Sequence, residues 1–163
     1  MAIGAESALV EGASRTDSGV HALAQTASAR VETRLDDATI LRAMNFRLPM
    51  SVAVLRVATV PDDFHARFSA VGKYYAYRIR HTERPHPVGR AYCAWTRFEL
   101  RIAPMREAAR ALVGRHDFAA FAAAGSPRLA PVRASTVREV RAVHVLQRRD
   151  ITTFAFCGDG FLY

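Results

Sequence analysis

Residues 13–22, with the sequence ASRTDSGVHA, are the stretch from which the rest of the chain can be interpreted. They place a cation (Arg15), a carboxylate (Asp17), a turn glycine (Gly19) and an imidazole (His21) within ten positions. The Asp-Ser-Gly run between two extended segments predicts a tight turn or loop. The pattern allows two interpretations of Asp17. It caps a short helical turn, or it is a catalytic group on a loop held by rigid strands. The isolated tripeptide favours capping.

The segments around this loop alternate between strand and helix patterns. Residues 7–12 and 25–32 predict strands, and the apolar face of the second consists of Ala27, Ala29 and Val31. Residues 36–49 predict a helix that begins at two aspartates and ends at a proline. Residues 52–60 are rich in β-branched side chains and predict a further strand. The order strand, helix, strand indicates an α/β sandwich with one helical layer.

A Pro-Asp-Asp run marks the predicted boundary between two partial α/β units, residues 1–62 with the loop and residues 63–163. Beyond it, residues 70–80 alternate and predict a strand in which tyrosines stand between cations. Such a strand can stack bases and hold phosphates. It can equally pack its tyrosines in an ordinary core with their hydroxyls satisfied. The pattern alone leaves both interpretations open.

The rest of the second unit predicts a helix from Pro104 to Gly114 and a hairpin of residues 137–146 and 151–157. Between them, residues 122–135 predict a basic loop that either contacts RNA phosphates or is only solvated. His116 and Asp117 look like a catalytic pair, but adjacent side chains do not face each other. We therefore expect an anchoring loop at this point of the chain.

Composition and charge narrow the class of protein. The 163 residues carry a formal charge of +8, and Lys73 is the only lysine among 23 basic residues. The excess positive charge favours a polyanionic partner, although the arginine preference itself can reflect phosphate binding or only the base composition of the gene. Two distant cysteines, no membrane-length apolar run and no signal peptide predict reduced thiols, no metal site and a cytoplasmic location.

Several segments resemble, in the right order, the blocks of TruA-type tRNA pseudouridine synthases. The loop signature of that family is Gly/Ser-Arg-Thr-Asp-x-Gly-Val-His-Ala with a glutamine shortly after it, and residues 14–22 with Gln25 satisfy it. The later blocks are residues 60–70 (VPDDFHARFSA), residues 73–77 (KYYAY), residues 114–121 (GRHDFAAF), residues 136–138 (TVR) and residues 156–163 (FCGDGFLY).

This resemblance implies an α+β fold with a mixed, mainly antiparallel sheet built from two RRM-like units. It implies an isomerase that converts uridines at positions 38 to 40 of the tRNA anticodon arm to pseudouridine, as a homodimer and without metal or organic cofactor. By the same resemblance, Asp17 is the nucleophile, Tyr75 stacks on the uracil, and Arg15 braces the space that the flipped base leaves. Three further residues bind RNA or order the site: Arg67, Lys73 and Arg138.

The chain also departs from the family pattern at both ends. Family members begin with a strand and a helix that do not precede Ser7, and they continue after Tyr163 with a His-Met-Val-Arg helix whose arginine pairs with the catalytic aspartate. We therefore expect a chain truncated at both ends, whose own activity is open. The alternatives are an inactive RNA-binding module that kept the basic sheet, and a structural fragment with no RNA role.

Overall fold

The computed structural model describes residues 8–122 and 135–161, so most of the predicted basic loop at residues 122–135 lies outside the described residues. The chain forms two compact units, Met1–Ala70 and Val71–Tyr163. The predicted boundary between residues 62 and 63 separates two partial α/β domains, which are not the same as these compact units, and it stays a prediction. In the part of the chain described, no helix is both long and apolar enough to cross a membrane.

The first unit consists of a two-stranded ladder and one helix. Strands β1 (Val10–Gly12) and β2 (Ala27–Ala29) pair antiparallel, and helix α1 (Asp37–Arg47) follows them. Asp36 is the N-cap of α1, because its carboxylate accepts a hydrogen bond of 2.7 Å from the Thr39 amide. The helix ends just before Pro49. The prediction of a helix from the aspartates to the proline is confirmed.

The strand predicted at residues 52–60 is wrong. These residues belong to no ladder among those that the structure describes, and side chains of α1 pair with their backbone instead. The Asn45 amide donates to the Val54 carbonyl at 2.8 Å and accepts from the Val54 N–H at 2.7 Å. Asp37 accepts from both the amide and the hydroxyl of Thr59. A β-branched run favours extended backbone, but a strand also needs a neighbouring strand.

The inward face predicted for residues 25–32 is also wrong. Ser28 is half-buried, whereas Ala27 and Ala29 are exposed. The reason is a hydrogen bond of 3.1 Å from the Ala66 amide to the Ser28 hydroxyl. A polar contact with a segment far away in the chain therefore decides which face of this short strand is covered.

The second unit is a five-stranded mixed sheet in the order β4-β3-β7-β6-β5. All neighbouring strands are antiparallel except β3 and β4, which are parallel. The predicted hairpin of the last two strands is confirmed, and so is the α+β class with a mainly antiparallel sheet. The strands are β3 (Lys73–His81), β4 (Ala94–Thr96), β5 (Gly114–Asp117), β6 (Val137–Arg148) and β7 (Ile151–Gly158).

Helix α2 (Ile102–Ala111) packs on β6, and the Arg106 guanidinium donates to the Val145 carbonyl at 3.0 Å. The helix begins two residues before Pro104, which is tolerated because amides in the first turn have no partner inside the helix. The prediction that Gly114 ends this helix is wrong, because Gly114 is the first residue of β5.

Short 3-10 turns complete the unit at Arg90–Tyr92 and Ala119–Phe121. Among the described residues of this unit, the buried side chains are Ala109 on α2, Val140 and Val145 on β6, and Thr152 on β7.

Candidate active site

The loop of residues 13–22 is closed at its base by two hydrogen bonds. The Ala13 amide donates to the Thr26 carbonyl at 2.8 Å, next to the β1–β2 ladder. The side chain of Gln25 donates to the Ser14 carbonyl at 2.6 Å. The side chain of Gln25 thus fixes the loop's first residues, which gives a physical reason for its place in the signature.

A single tight turn presents Asp17 at the far end of this loop. The Val20 amide donates to the Asp17 carbonyl at 3.1 Å, and Gly19 has a φ of 80°. The third residue of a type II turn needs such a positive φ, and glycine adopts it without steric cost. No helical turn follows, so Asp17 does not act as a helix cap.

The carboxylate of Asp17 and the guanidinium of Arg15 are both exposed. Within residues 8–122 and 135–161, no basic side chain lies within 4.0 Å of the Asp17 carboxylate. The loop thus offers a carboxylate to a partner in solution and does not bury it in an ion pair. An accessible carboxylate of this kind can act as a nucleophile or as a base.

The segment that carries Arg67 is fixed to both strands of the same ladder. The Arg30 guanidinium donates to the Asp62 carbonyl at 2.8 Å, and the Ala66 amide donates to Ser28 on β2. The His65 imidazole contacts the Glu11 carboxylate on β1 with a Nε2–Oε2 distance of 3.2 Å. Arg67 itself is exposed, with its guanidinium 5.8 Å from the centre of the Phe68 ring.

In the second unit, Lys73 and Tyr75 lie on one face of β3. Tyr75 is opposite Phe156 in the ladder with β7 and is 40% exposed. Its ring meets the ring of Phe161 edge to face, with 4.9 Å between centroids. This contact holds one edge of the tyrosine in place, and the exposed part of the ring remains accessible to a stacking partner.

Tyr74 lies on the opposite face of β3 and is 84% exposed. It stands directly across from Cys157 in the ladder. A hydrogen bond with the Cys157 thiol raises the pKa of the Tyr74 hydroxyl above its ordinary value. Two adjacent tyrosines thus have different environments, because successive side chains of a strand point to opposite faces.

Arg138 is ordered by backbone carbonyls near the start of β6. Its Nη1 donates to the Ser135 carbonyl at 2.6 Å and to the Val137 carbonyl at 2.7 Å. Its Nε lies against Gly160, only 3.6 Å from the place that a Cβ would take there. The turn of residues 158–161 therefore touches Arg138 at Gly160 and Tyr75 at Phe161.

His116 and Asp117 have separate partners, as expected for adjacent residues of a strand. His116 contacts the Val113 carbonyl at 3.0 Å through Nε2. Asp117 accepts hydrogen bonds from the Ala119 amide and from the Thr136 hydroxyl. They are not a catalytic pair, and Asp117 instead ties the end of β5 to the residue before β6.

The candidate site residues are divided between the two units. The first carries Arg15 and Asp17 on the loop and Arg67 on the segment fixed to the β1–β2 ladder, and the second carries Lys73, Tyr75 and Arg138 on one sheet. Across residues 8–122 and 135–161, no group of three or more His, Cys, Asp or Glu side chains is arranged to hold a metal ion.

Comparison with known proteins agrees with this arrangement. The family model described as tRNA pseudouridine synthase matches residues 4–69 and 108–163, which include both the loop and the 158–161 turn. The chain belongs to the tRNA pseudouridine synthase family. The resemblance seen in the signature blocks is thereby confirmed.

Three relatives named tRNA pseudouridine synthase A illustrate the extent of the match. The chain is 38% identical to the protein called A 2 from Clostridium tetani over 93% of its own length. It is 39% identical to the Lactiplantibacillus plantarum protein over 97% and to that of Thermoanaerobacter sp. strain X514 over 93%. The matches cover 59%, 59% and 60% of these relatives. The chain thus spans about three-fifths of the synthases that it matches.

Sequence reasoning missed two contacts of this candidate site. One is the support of Tyr75 by Phe161, although residues 156–163 were matched to a family block. The other is the use of His65, which lies within the second block but carries no signal of its own. Both contacts join residues that are far apart in sequence, so only the folded chain reveals them.

Proposed function

We propose that this chain isomerises uridines at positions 38 to 40 of the tRNA anticodon arm to pseudouridine, with Asp17 as the nucleophile. The observation that carries this proposal is the loop: a carboxylate at the end of a glycine turn, exposed, and fixed at its base by the signature glutamine. Membership in the tRNA pseudouridine synthase family supports it. The names of the relatives specify tRNA and no position in it, so the anticodon arm is our proposal.

The chemistry needs one well-placed carboxylate and no redox partner. The bond between C1′ of the ribose and N1 of uracil breaks, the base turns, and C1′ bonds to C5, with the proton at C5 moving to N1. Asp17 can attack directly to form a covalent species, or it can remove a proton to give a glycal-like species. Both routes conserve atoms and electrons, and both need an ionised carboxylate.

The other residues bind and orient the RNA. Flipping the target uridine out of its stack costs a few kcal/mol, and we assign Arg15 to the space that it leaves. Tyr75 stacks on the free uracil and holds it during rotation. We assign Arg67, Lys73 and Arg138 to RNA phosphates or to ordering of the site, because arginine makes bidentate contacts with phosphate and lysine acts as a compact charge.

The proposal extends to the assembly and the place of action. We propose a homodimer in the cytoplasm, without metal or organic cofactor, in which residues 1–62 and 63–163 are each part of one RRM-like α/β unit. Sedimentation of the purified chain across a range of concentrations checks the dimer. A monomer at every concentration would contradict this part of the proposal alone.

The substrate and the reaction are tested by mapping the positions at which pseudouridine forms in a tRNA. The chain is incubated with unmodified tRNA that has uridines at positions 38, 39 and 40, and pseudouridine is located by chemical labelling and primer extension. The matched control is the same tRNA with cytidine at those positions. We expect signal at one or more of the three uridines and none in the control. Signal confined to another arm of the tRNA would overturn the assignment of the substrate.

A further inference from the structure

The imidazole of His65 uses both ring nitrogens to connect two parts of the first unit. Its Nδ1 accepts the backbone N–H of Arg67 at 3.1 Å. Its Nε2 lies 3.2 Å from the Glu11 carboxylate on β1. Because Nδ1 accepts this hydrogen bond, it carries no hydrogen, so the neutral ring holds its hydrogen on Nε2 and donates a hydrogen bond to Glu11.

The side chains of this segment contact one another in series, with Phe68 between His65 and Arg67. The rings of His65 and Phe68 lie 4.3 Å apart, and the Arg67 guanidinium lies 5.8 Å from the centre of the Phe68 ring. Two hydrogen bonds between His65 and Ser69 close the segment, one from the Ser69 amide to the His65 carbonyl and one from the His65 amide to the Ser69 hydroxyl. Arg67 is therefore held through its amide and through the ring beneath its guanidinium.

We infer that His65 is a positioning residue that fixes Arg67 relative to the strand leading into the Asp17 loop. Glu11 is the residue before Gly12, where β1 ends and the loop base begins. In this arrangement the role of Glu11 is to keep the imidazole proton on Nε2, so that Nδ1 stays available as an acceptor. The inference rests on the proposed function only where it concerns RNA, because the link between His65 and Arg67 exists without a substrate.

Two substitutions separate the functions of the ring nitrogens. His65→Asn retains an acceptor for the Arg67 amide, because asparagine side chains bond to the backbone two residues ahead. His65→Gln retains a donor near the position of Nε2 but places no acceptor at the Arg67 amide. The two variants are matched in polarity and charge, and thermal melting of both is the check that they are folded.

Amide hydrogen exchange at Arg67 tests the link directly. We expect wild type and His65→Asn to exchange at similar rates and His65→Gln to exchange roughly fivefold faster, the ratio that one net hydrogen bond supports. Glu11→Ala should accelerate exchange in the wild type and have no effect in the His65→Asn background. Equal exchange in wild type, His65→Asn and His65→Gln would overturn the inference, whatever the chain does with tRNA.

Activity on tRNA tests whether the link serves the reaction. We expect His65→Gln to lower kcat/KM by about 10- to 100-fold, since a misplacement of 1 Å can cost about 10²-fold, and His65→Asn to recover most of this loss. In an Arg67→Ala background, His65→Gln should have no further effect. Equal losses in both His65 variants, or additive losses with Arg67→Ala, would contradict a role through Arg67. If the wild-type chain neither modifies nor binds tRNA, the proposed function fails for this chain, and the exchange rates still decide the link.

Discussion

Two glycines of the candidate site have different reasons to be glycine. Gly19 has a φ of 80° and no atom within 4 Å of an added Cβ, so its constraint is purely conformational. Gly158 shows the opposite case, because a Cβ there would lie 2.9 Å from the Glu139 carbonyl oxygen. The first glycine shapes the turn that presents Asp17, and the second permits close packing beside Phe161.

Substitution of Gly19 should affect the reaction through the turn. An alanine in the left-handed region costs about 1–2 kcal/mol, which corresponds to roughly a 5- to 30-fold change in the population of the correct turn. We expect Gly19→Ala to lower kcat/KM for pseudouridine formation by a factor in this range. Gly19→Asn should recover part of the loss, because asparagine tolerates this conformation. Equal activities in the two variants would show that the turn conformation does not limit the reaction.

Substitution of Gly158 should affect stability through packing. We expect Gly158→Ala to lower the free energy of unfolding by about 1–3 kcal/mol, the usual cost of overpacking, as measured by urea denaturation. Gly160→Ala is the matched control, because its Cβ would be 3.6 Å from the flexible Arg138 side chain. A loss of stability as small in Gly158→Ala as in the control would mean that the strand shifts to make room.

The sequence was most informative where local rules decide the structure. The turn at Asp17, the separation of Tyr74 from Tyr75 and the divergence of His116 from Asp117 all follow from neighbouring residues. The ring contact between Tyr75 and Phe161 and the hydrogen bond from the Ala66 amide to Ser28 join positions far apart in the chain. Such pairings depend on the whole fold, and hydrophobic periodicity carries no information about them.

Among the elements, helix α1 is the one whose start is most clearly determined by neighbouring residues. Its N-cap is Asp36, and hydrogen bonds from the side chain and the amide of Thr39 lower the pKa of the Asp36 carboxyl. Because the pKa of Asp36 is lower in the folded protein than in the unfolded chain, the ionised cap stabilises the fold at pH values above the pKa that Asp36 has in the unfolded chain. This contribution is lost as the pH falls through the folded pKa.

The pH dependence of this cap can be isolated with Asp36→Asn. Asparagine is also a good N-cap, but it does not titrate. We expect the stability of wild type relative to Asp36→Asn to be constant near neutral pH and to decrease as the pH falls below about 4, the pKa of an unperturbed aspartate. Thermal unfolding at pH 6 and pH 3 measures the difference. A constant difference between the two proteins would show that the charge on Asp36 does not contribute.

Elements that depend on partners were predicted less well. Residues 52–60 have strand composition, yet Asn45 and Asp37 bind their backbone in place of a neighbouring strand. The helix from Pro104 was predicted to end at Gly114 and an anchoring loop to follow it, but residues 114–117 pair with β6. Composition describes what backbone a segment prefers, whereas pairing depends on which strands lie beside it.

At the scale of the whole molecule, the charge of +8 leads to a prediction about affinity. Each phosphate neutralised by a basic side chain contributes about 0.9 to the slope of log K against log salt for duplex nucleic acid, and about 0.7 for single strands. If Arg138 contacts a phosphate, Arg138→Gln should reduce this slope by roughly one. Filter binding of tRNA from low to physiological salt measures it. Arg97→Gln is an exposed control outside the candidate site, and an equal reduction there would indicate only a general charge effect.

The central claim is that Asp17 is the nucleophile of a pseudouridine synthase site, and one measurement tests it most directly. Pseudouridine formation on unmodified tRNA is followed under single-turnover conditions with wild type, Asp17→Asn and the control Asp63→Asn, which removes another exposed aspartate. We predict that Asp17→Asn binds tRNA as wild type does but forms no pseudouridine, while Asp63→Asn remains fully active. Product formation by Asp17→Asn at the wild-type rate, or tRNA binding without product by all three proteins, would contradict the claim.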